Sequence, residues 1–452
     1  MDFLDKLVIP QSPHHIILLK YILVLTMLLL VPFFTALTGS TILSLFYNFK
    51  GKREGNKDKV LLSKNLIDLV TYRKAFAFSL GIVPFLSAIF CYAQLLQSAQ
   101  SGVTVYLFIS LIFFVAGLAS IYTYKYSFHL SELFNSISTN SRFDLLNESD
   151  QSEVKEFNSK TSGLRVKAGK YGLFLLLVSA FFFTAGVSIS FDSAIWNSEH
   201  SAFAGLFSLN SLTGFIIFIG LSITSAAGLL LFDLYQKKNT NEAGNVNLHK
   251  IASRAGKHTG IISMVILPAI VVLRTFVTPV RSLDFSFFMI LFGIILISFI
   301  IVHIYYAMIK NGGVELSGSV IFLLIILFAL LIINDNNKLD RSGKAQFAAL
   351  EVNYAKYKED VESELGVKKA AVSGADIYNG RCIACHSFDK KVVGPPYDSV
   401  LPKYEGKMDE LVKFILNPVK KNPDYPAMPN QGLKPAEAKA AAEYIMSTYK
   451  KQ

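Results

Sequence analysis

Long apolar stretches alternate with short, mostly basic polar ones up to about residue 333, after which the chain turns charged and amphipathic. A hydrocarbon core about 30 Å thick takes roughly 20 apolar residues per helix, with a range of about 17–25. By that measure the pattern predicts eight membrane spans, at about 16–47, 75–97, 103–123, 171–190, 212–235, 259–276, 285–309 and 316–333. The first exceeds a straight crossing and contains Pro32, which predicts a kink or a tilt. The sixth is interrupted by Pro268 and Arg274. Composition points the same way, with 52% hydrophobic residues, 37 phenylalanines and 17% charged residues.

The formal net charge of +11 raises the question of a nucleic-acid partner, and its distribution answers it. With the N-terminus outside, the inward connections hold Lys50, Lys52, Arg53, Lys57, Lys59, Lys64, Arg73 and Lys74, then Lys125, Arg142, Lys155, Lys160, Arg165, Lys167 and Lys170, then Lys237, Lys238, Lys250, Arg254 and Lys257. The outward segments up to the last span hold Lys6, Lys20, Arg274 and Arg281. This is the positive-inside asymmetry, which sets orientation and accounts for the basic balance with no nucleic acid. The first 13 residues carry Asp2, Asp5 and Lys6 rather than a basic leader, so no cleavable signal is expected. Eight crossings return the C-terminus to the outer side.

Two of the three cysteines fall in Cys382-Ile-Ala-Cys385-His386, the spacing of a c-type haem attachment site. Two thioether bonds would hold the porphyrin and His386 would meet the iron. A redox dithiol is the alternative reading of the two thiols, and the adjoining histidine argues against it. A sixth ligand is available downstream in Met428, whose loop contains Pro423, Pro426 and Pro429, and prolines stiffen such a loop. Met408, in a charged helix-like segment, and Met446, in the last helix, are its competitors. Histidine and methionine together raise the haem potential and leave no open coordination position, so the centre would carry electrons. Because c-type haem is attached on the outer face of the bacterial cytoplasmic membrane, charge bias and haem chemistry give one topology.

Around these residues, from about 374 to 452, the sequence resembles a class I (monohaem) cytochrome c. Gly374 and Tyr378 precede the motif on a short helix, Gly394-Pro395-Pro396 follows it, and a last helix from Pro435 to Lys450 presents Ala438, Ala441, Ala442, Ile445 and Tyr449. The resemblance implies that the Pro395 carbonyl receives the other ring N–H of His386 and orients it. It also implies a cofactor site of Cys382, Cys385, His386, Met428 and Pro395, with His386 and Met428 as the metal ligands. The fold class expected is all-α: a bundle of about eight transmembrane helices (1–338), an amphipathic helix and linker (339–373), and a small periplasmic cytochrome domain (374–452). Phe347, Leu350, Tyr354, Tyr357, Val361 and Leu365 form the stripe of that connecting helix, which ends at Gly366. The helix either lifts the haem by up to ~35 Å or lays its stripe on the membrane module or a partner.

Ionisable groups at membrane depth are functional candidates. His14, His15, Lys20 and Arg274 gather on the outer side, and His129, His258 and His303 on the inner, where a bis-histidine haem b would need two facing imidazoles. The alternative is that these are satisfied or solvated side chains. Paired histidines 13 or 14 residues apart on two helices, as in the cytochrome b of bc complexes, do not occur. The first 130 residues at most resemble the large subunit of cytochrome bd quinol oxidases, with an outer histidine, a basic loop and Gly81 in the second span. That family's Gly-Arg-Gln-Pro-Trp motif is missing, and the single tryptophan, Trp196, lies in an outer loop, so oxygen reduction is not implied.

The function expected is a membrane-anchored c-type cytochrome of a respiratory chain, passing electrons from quinol or an integral redox partner to a periplasmic acceptor. A self-contained quinol-oxidising enzyme, with haem b feeding the haem c, is the alternative. The cofactors expected are one covalent haem c, with haem b and quinol as candidates. The partners are membrane lipid, integral redox subunits and the periplasmic acceptor. Topology is directly testable: a cysteine placed at Ser198 is expected to react with an impermeant reagent from outside, and one placed at Asn56 to be protected. The reverse labelling would reject the orientation.

Overall fold

The computed structural model describes residues 10–97, 99, 101–138, 147–196, 205–239, 246–365 and 373–449. Lys6, Ser198, His200 and the linker from Gly366 lie outside them. The described residues form helices and turns without strands. The chain divides into two compact units, Met1–Ala355 and Lys356–Gln452.

All eight expected crossings are helices long and apolar enough to span a bilayer. They are α1 (Pro13–Arg53), α3 (Lys74–Leu95), α4 (Val103–Ser138), α5 (Glu148–Ser190), α6 (Leu209–Asn239), α7 (Val246–Thr275), α8 (Phe285–Asn311) and α9 (Ser317–Ser342), with α2 (Lys57–Val70) in the first connection. At 41 residues α1 is ~60 Å long, twice the hydrocarbon thickness. It runs through Pro32 without ending, and Thr35 donates its hydroxyl to the carbonyls of Val31 (2.8 Å) and Pro32 (3.0 Å). In α3 a π turn over Ala77–Ile82 precedes Pro84.

Polar sequence does not stop these helices. The connection at 125–170, long enough for a small subdomain, is instead largely the continuation of α4 and α5. Their extensions pair through the stacked rings of Phe134 and Phe157 and through Asn158, which donates to Asn135 Oδ1 at 2.9 Å. Helix α2 is capped by Asn56, whose side chain accepts from the Lys59 N–H at 3.2 Å. It buries Leu62, Leu66 and Ile67 against α1, while its half-buried Lys59 and Lys64 pair with Glu54 and Glu132.

Lipid is as apolar as leucine, so helices in a bilayer are held by close van der Waals contact and by hydrogen bonds rather than by hydrophobic exclusion. Both occur along α1. Phe34 is fully buried, with the rings of Phe218 at 4.8 Å, Phe114 at 4.9 Å, Phe183 at 5.9 Å and Phe85 at 6.3 Å. One turn on, a Cβ at Gly39 would lie 1.8 Å from the Ser222 carbonyl oxygen, so the backbones of α1 and α6 touch there. Elsewhere hydroxyls bridge helices: Ser110 Oγ donates to the Ser179 carbonyl (2.7 Å) and Ser179 Oγ to the Ser110 carbonyl (2.8 Å), and Thr224 donates to Ser263 at 2.8 Å.

The connecting helix α10 (Lys344–Glu364) begins in the membrane unit, where Phe347 and Leu350 are buried in the core and Lys20 sits over the Phe347 ring while pairing with Asp340 at 2.6 Å. Further along, Tyr357 and Leu365 are exposed. In the C-terminal unit, α11 (Gly374–Ile377) runs into a π turn over Tyr378–Cys382 and is followed by α12 (Tyr397–Val400), α13 (Met408–Leu416) and α14 (Pro435–Tyr449). Their core includes Tyr378, Phe388, Leu401, Leu411, Ala438, Ala442 and Ile445.

The Gly39 contact yields a stability test. Gly39→Val is expected to destabilise the bundle by about 3 kcal/mol through overpacking. Gly163→Ala, where a Cβ meets open space on α5, is expected to be neutral or stabilising by up to ~1 kcal/mol. Thermal unfolding in detergent compares the two; equal midpoints would refute the backbone contact.

Candidate functional site

The turn that carries the two cysteines is tightly wound. Ile383 N–H donates to the Tyr378 carbonyl (2.9 Å), and the N–H groups of Cys385 and His386 both reach the Cys382 carbonyl, at 3.1 and 3.0 Å. Cys382, Cys385 and His386 therefore line one cavity. The following loop returns across the turn, with Gly394 N–H donating to the Cys385 carbonyl at 2.8 Å, and this brings the Pro395 carbonyl to 3.0 Å from His386 Nδ1. With Nδ1 donating to Pro395, the Nε2 atom is left as the free lone-pair donor.

Two neighbours fix the ring further. Tyr397 lies nearly parallel to it, with centroids 5.0 Å apart and planes 15° apart. A Cβ at Gly394 would fall 2.3 Å from His386 Cε1, so any larger residue there would displace the imidazole. Burial, reinforced by the neighbouring Cys382, pushes the Tyr397 phenol far above its ordinary range and keeps it neutral. Burial followed by the nearby Cys385 also pushes the Cys382 thiol up, so this apolar pocket holds a neutral thiol at neutral pH.

The cavity holds about 1430 Å³ of space between its walls, part of it open to solvent. Met428 lines it from the loop between α13 and α14, together with Tyr425, Pro426 and Pro429. Of the unit's other methionines, Met446 is buried in the core and Met408 packs against that core. Apolar walls come from Leu401, Leu411, Ile415 and Ile445, and Arg381, Lys403, Lys420 and Lys421 add positive charge. Two thiols, a preset imidazole nitrogen and a thioether sulphur about a largely apolar space with basic residues at its walls suit an iron porphyrin with acidic side arms. All five residues expected at the site, Cys382, Cys385, His386, Pro395 and Met428, line this one cavity.

The candidates in the membrane unit are dispersed. His14 and His15 are exposed on the first turn of α1, and Lys20 is taken up by Asp340 and Phe347. His258 and His303 are exposed as well, their Nδ1 atoms bonded to the carbonyls of Arg254 (2.9 Å) and Phe299 (3.0 Å) in their own helices. His129 lies 3.7 Å from Asp68 and 4.0 Å from Glu132. No imidazole among the described residues of this unit is buried, as a haem gripped between facing helices would require.

Arg274 alone of this set turns into the bundle, donating to Asn210 Oδ1 (3.2 Å) and Ser188 Oγ (3.0 Å). There it lines a second cavity with Asn334, Asp335 and Lys338, three residues the sequence reading passed over. Asn334-Asp335-Asn336-Asn337 reads as the loop that ends a span, but α9 continues to Ser342. The available signal was the i,i+3 pair of Asp335 and Lys338 flanked by Ile332 and Leu339.

Comparison with known proteins falls on the C-terminal unit: residues 369–445 match the family described as cytochrome C oxidase, cbb3-type, subunit III. The chain is 38% identical over 80 residues to cytochrome c-551 of Pseudomonas denitrificans, covering 96% of that protein and 17% of this chain. It is 39% identical over 70 residues to cytochrome c-552 of Hydrogenobacter thermophilus, covering 70% of that protein and 15% of this chain. With cytochrome c-552 of Nitrosomonas europaea the identity is 33% over 91 residues, covering 87% of that protein and 19% of this chain.

Gly394→Val is expected to push the His386 ring off the Pro395 carbonyl, and so to lower covalent haem content or shift the iron away from the low-spin state. Absorption spectra with a pyridine haemochrome assay check this. A variant with unchanged haem content and spectrum would show that the close approach at Gly394 does not constrain the ring.

Proposed function

Through its C-terminal domain this chain belongs to the class I cytochrome c family, and on that premise we propose that it is a membrane-anchored electron carrier moving single electrons from the bilayer to an acceptor outside it. The observation that carries this reading is the convergence of Cys382, Cys385, His386 and Met428 on one cavity. In the proposed site Cys382 and Cys385 would hold a haem covalently, and His386 and Met428 would supply its iron ligands. A haem bound there would supply one-electron exchange between the ferric and ferrous states.

The protein's own residues do the rest. The Pro395 carbonyl holds the imidazole N–H and makes the ring a stronger donor, as outer hydrogen-bond partners of metal-bound histidines do. Gly394 leaves the ring room, and Tyr397 supports its face. Leu401, Leu411, Ile415 and Ile445 exclude water, which disfavours the more highly charged oxidised centre. The prolines flanking Met428 limit the freedom of its loop and favour a single thioether position.

Orientation follows from the charge bias. The lysine-rich connections support an orientation in which the end of α9 lies on the outer side of a bacterial cytoplasmic membrane and the domain lies in the periplasm. The electron donor in this reading is quinol or an integral redox partner, and the acceptor is periplasmic. Exposed histidines give haem b no support, so the reading needs one haem per chain.

Met428→Ala is the discriminating variant. It is expected to abolish the weak long-wavelength thioether-to-iron band and to lower the midpoint potential, while Met408→Ala and Met446→Ala leave both in place. Persistence of the band in the Met428 variant would move the ligand to another methionine. A haemochrome ratio other than one c-type haem and no b-type haem per chain would reject the single-centre reading.

A further inference from the structure

The cavity that Arg274 enters holds about 1020 Å³ of space between its walls, part of it open to the surroundings. It lies at the end of the bundle where α1 begins and α9 finishes. Its body is apolar and partly aromatic, with Leu23, Met27, Phe183, Phe218 and Phe328 among its walls. Its polar end is formed by Arg274, Asn334, Asp335 and Lys338. Lys338 is 4% exposed and Asn334 5%.

The charges do not balance. Lys338 Nζ pairs with Asp335 Oδ1 at 2.8 Å, whereas the hydrogen bonds of Arg274 go to neutral Asn210 and Ser188. One carboxylate thus serves two cations, both of which also lie over the Phe191 ring, at 5.6 Å for Arg274 and 4.9 Å for Lys338. Lys20 and Arg341, on the same side of the bundle, are by contrast paired with Asp340 and Asp284. In addition, Asn334 Oδ1 is buried without a hydrogen-bond partner among the described residues. A buried acceptor left unsatisfied is destabilising, and ionisable groups at membrane depth are seldom kept without a ligand or a pathway.

A ligand that answers all of these features needs oxygen acceptors for the cations, a hydroxyl for Asn334 Oδ1 or the Asp335 carboxylate, a flat apolar ring for the aromatic walls, and enough lipid solubility to arrive through the bilayer. An acyl chain meets none of the polar requirements, and a lipid phosphate would set its charge against Asp335. We propose that this cavity binds the head ring of a lipid-soluble quinone or quinol, with Arg274 or Lys338 donating to a ring oxygen and Asn334 or Asp335 accepting from a quinol hydroxyl. Binding stands on this geometry alone; use of the bound quinol as electron donor rests on the electron-carrier reading above.

The experiment uses the full chain with its haem, in nanodiscs of neutral lipid, and decylubiquinone as probe. Wild type is expected to bind it saturably at one site per chain. Asn334→Leu and Lys338→Met are each expected to weaken binding at least tenfold. Val187→Phe, which narrows the apolar body and leaves the charges alone, is expected to abolish it. An unchanged haem spectrum and thermal midpoint certify that each variant is folded. The exposed pair His14→Ala with His15→Ala is expected to bind as wild type. Affinity within twofold of wild type in all three cavity variants would overturn the proposal, as would loss of binding in the histidine pair alone. Displacement of the probe by added phosphatidylglycerol would assign the cations to a lipid phosphate and overturn it too. Reduction of the haem by decylubiquinol separates the two readings. Binding without reduction supports the site and removes quinol as donor, and reduction that persists in Val187→Phe after binding is lost places the donor elsewhere and leaves the binding site standing.

Discussion

Phe34 ties the membrane unit together. No hydrophobic force draws helices to one another once they are in lipid, so a bundle depends on contacts closer than lipid tails can make. The buried ring of Phe34 meets rings from α3, α4, α5 and α6 at edge-to-face or steeply inclined angles, an arrangement worth about 0.5–1.5 kcal/mol per aromatic pair beyond burial alone. Gly39 then lets α1 and α6 meet backbone to backbone. With α1 pinned at these two places, its preceding turns from Leu23 to Val31 are fixed as a wall. Phe183 and Phe218 serve both the aromatic cluster and the cavity above it. The void at that end of the bundle is therefore bounded by the same contacts that hold the bundle together.

The two units solve one electrostatic problem in different ways. In the C-terminal unit the groups around the ligand-bearing turn are neutral or given a partner: the imidazole N–H goes to Pro395, and burial keeps the Tyr397 phenol and the Cys382 thiol uncharged. Satisfied surroundings at the ligands suit a permanently attached group whose ligands must not move. In the membrane unit two basic side chains share one carboxylate in apolar surroundings, and an acceptor is left over among the described residues. Incomplete satisfaction suits a ligand that comes and goes.

How much of this could be read beforehand depended on how local each feature is. Eight crossings were legible because about 20 consecutive apolar residues admit few other readings. Their ends were not. An apolar run sets only the minimum length of a helix, and α4, α5 and α9 carry on through polar sequence because neighbouring helices continue to accept them. Helix α2 was hidden by its lysines, although Leu62, Leu66 and Ile67 repeat at helical spacing. The haem-type motif was legible because both thiols and the imidazole lie within five residues. Met428 and Pro395 were reached through the loop prolines and through the family resemblance. The cavity in the membrane unit was not legible, since Arg274, Asn334 and Lys338 come from α7 and α9 and only the fold brings them together. Arg274 was noticed as an outlier of charge, but ending the last span at 333 removed its neighbours from view.

That boundary bears on why the protein has more helices than anchoring needs. One helix suffices to hold a cytochrome domain at a membrane, and each further helix adds a surface that must be kept apolar. Burying Lys338 and half-burying Arg274 adds a desolvation cost that a pure anchor would avoid. The cost is met with dedicated supports: Phe191 lies beneath both cations, and its carbonyl accepts from Ser342 at 2.5 Å, which fastens the last turn of α9. From that turn the chain continues at once into α10, whose Phe347 and Leu350 remain in the membrane core before the chain passes into the second unit. The helix that supplies Asp335 and Lys338 to the cavity is thus fastened at its end, and it is also the covalent lead into the electron-carrying domain. Fixed charges at a site require such rigidity, because a mobile helix end would let Lys338 reach water and let the cavity collapse. An anchor alone would gain nothing from it.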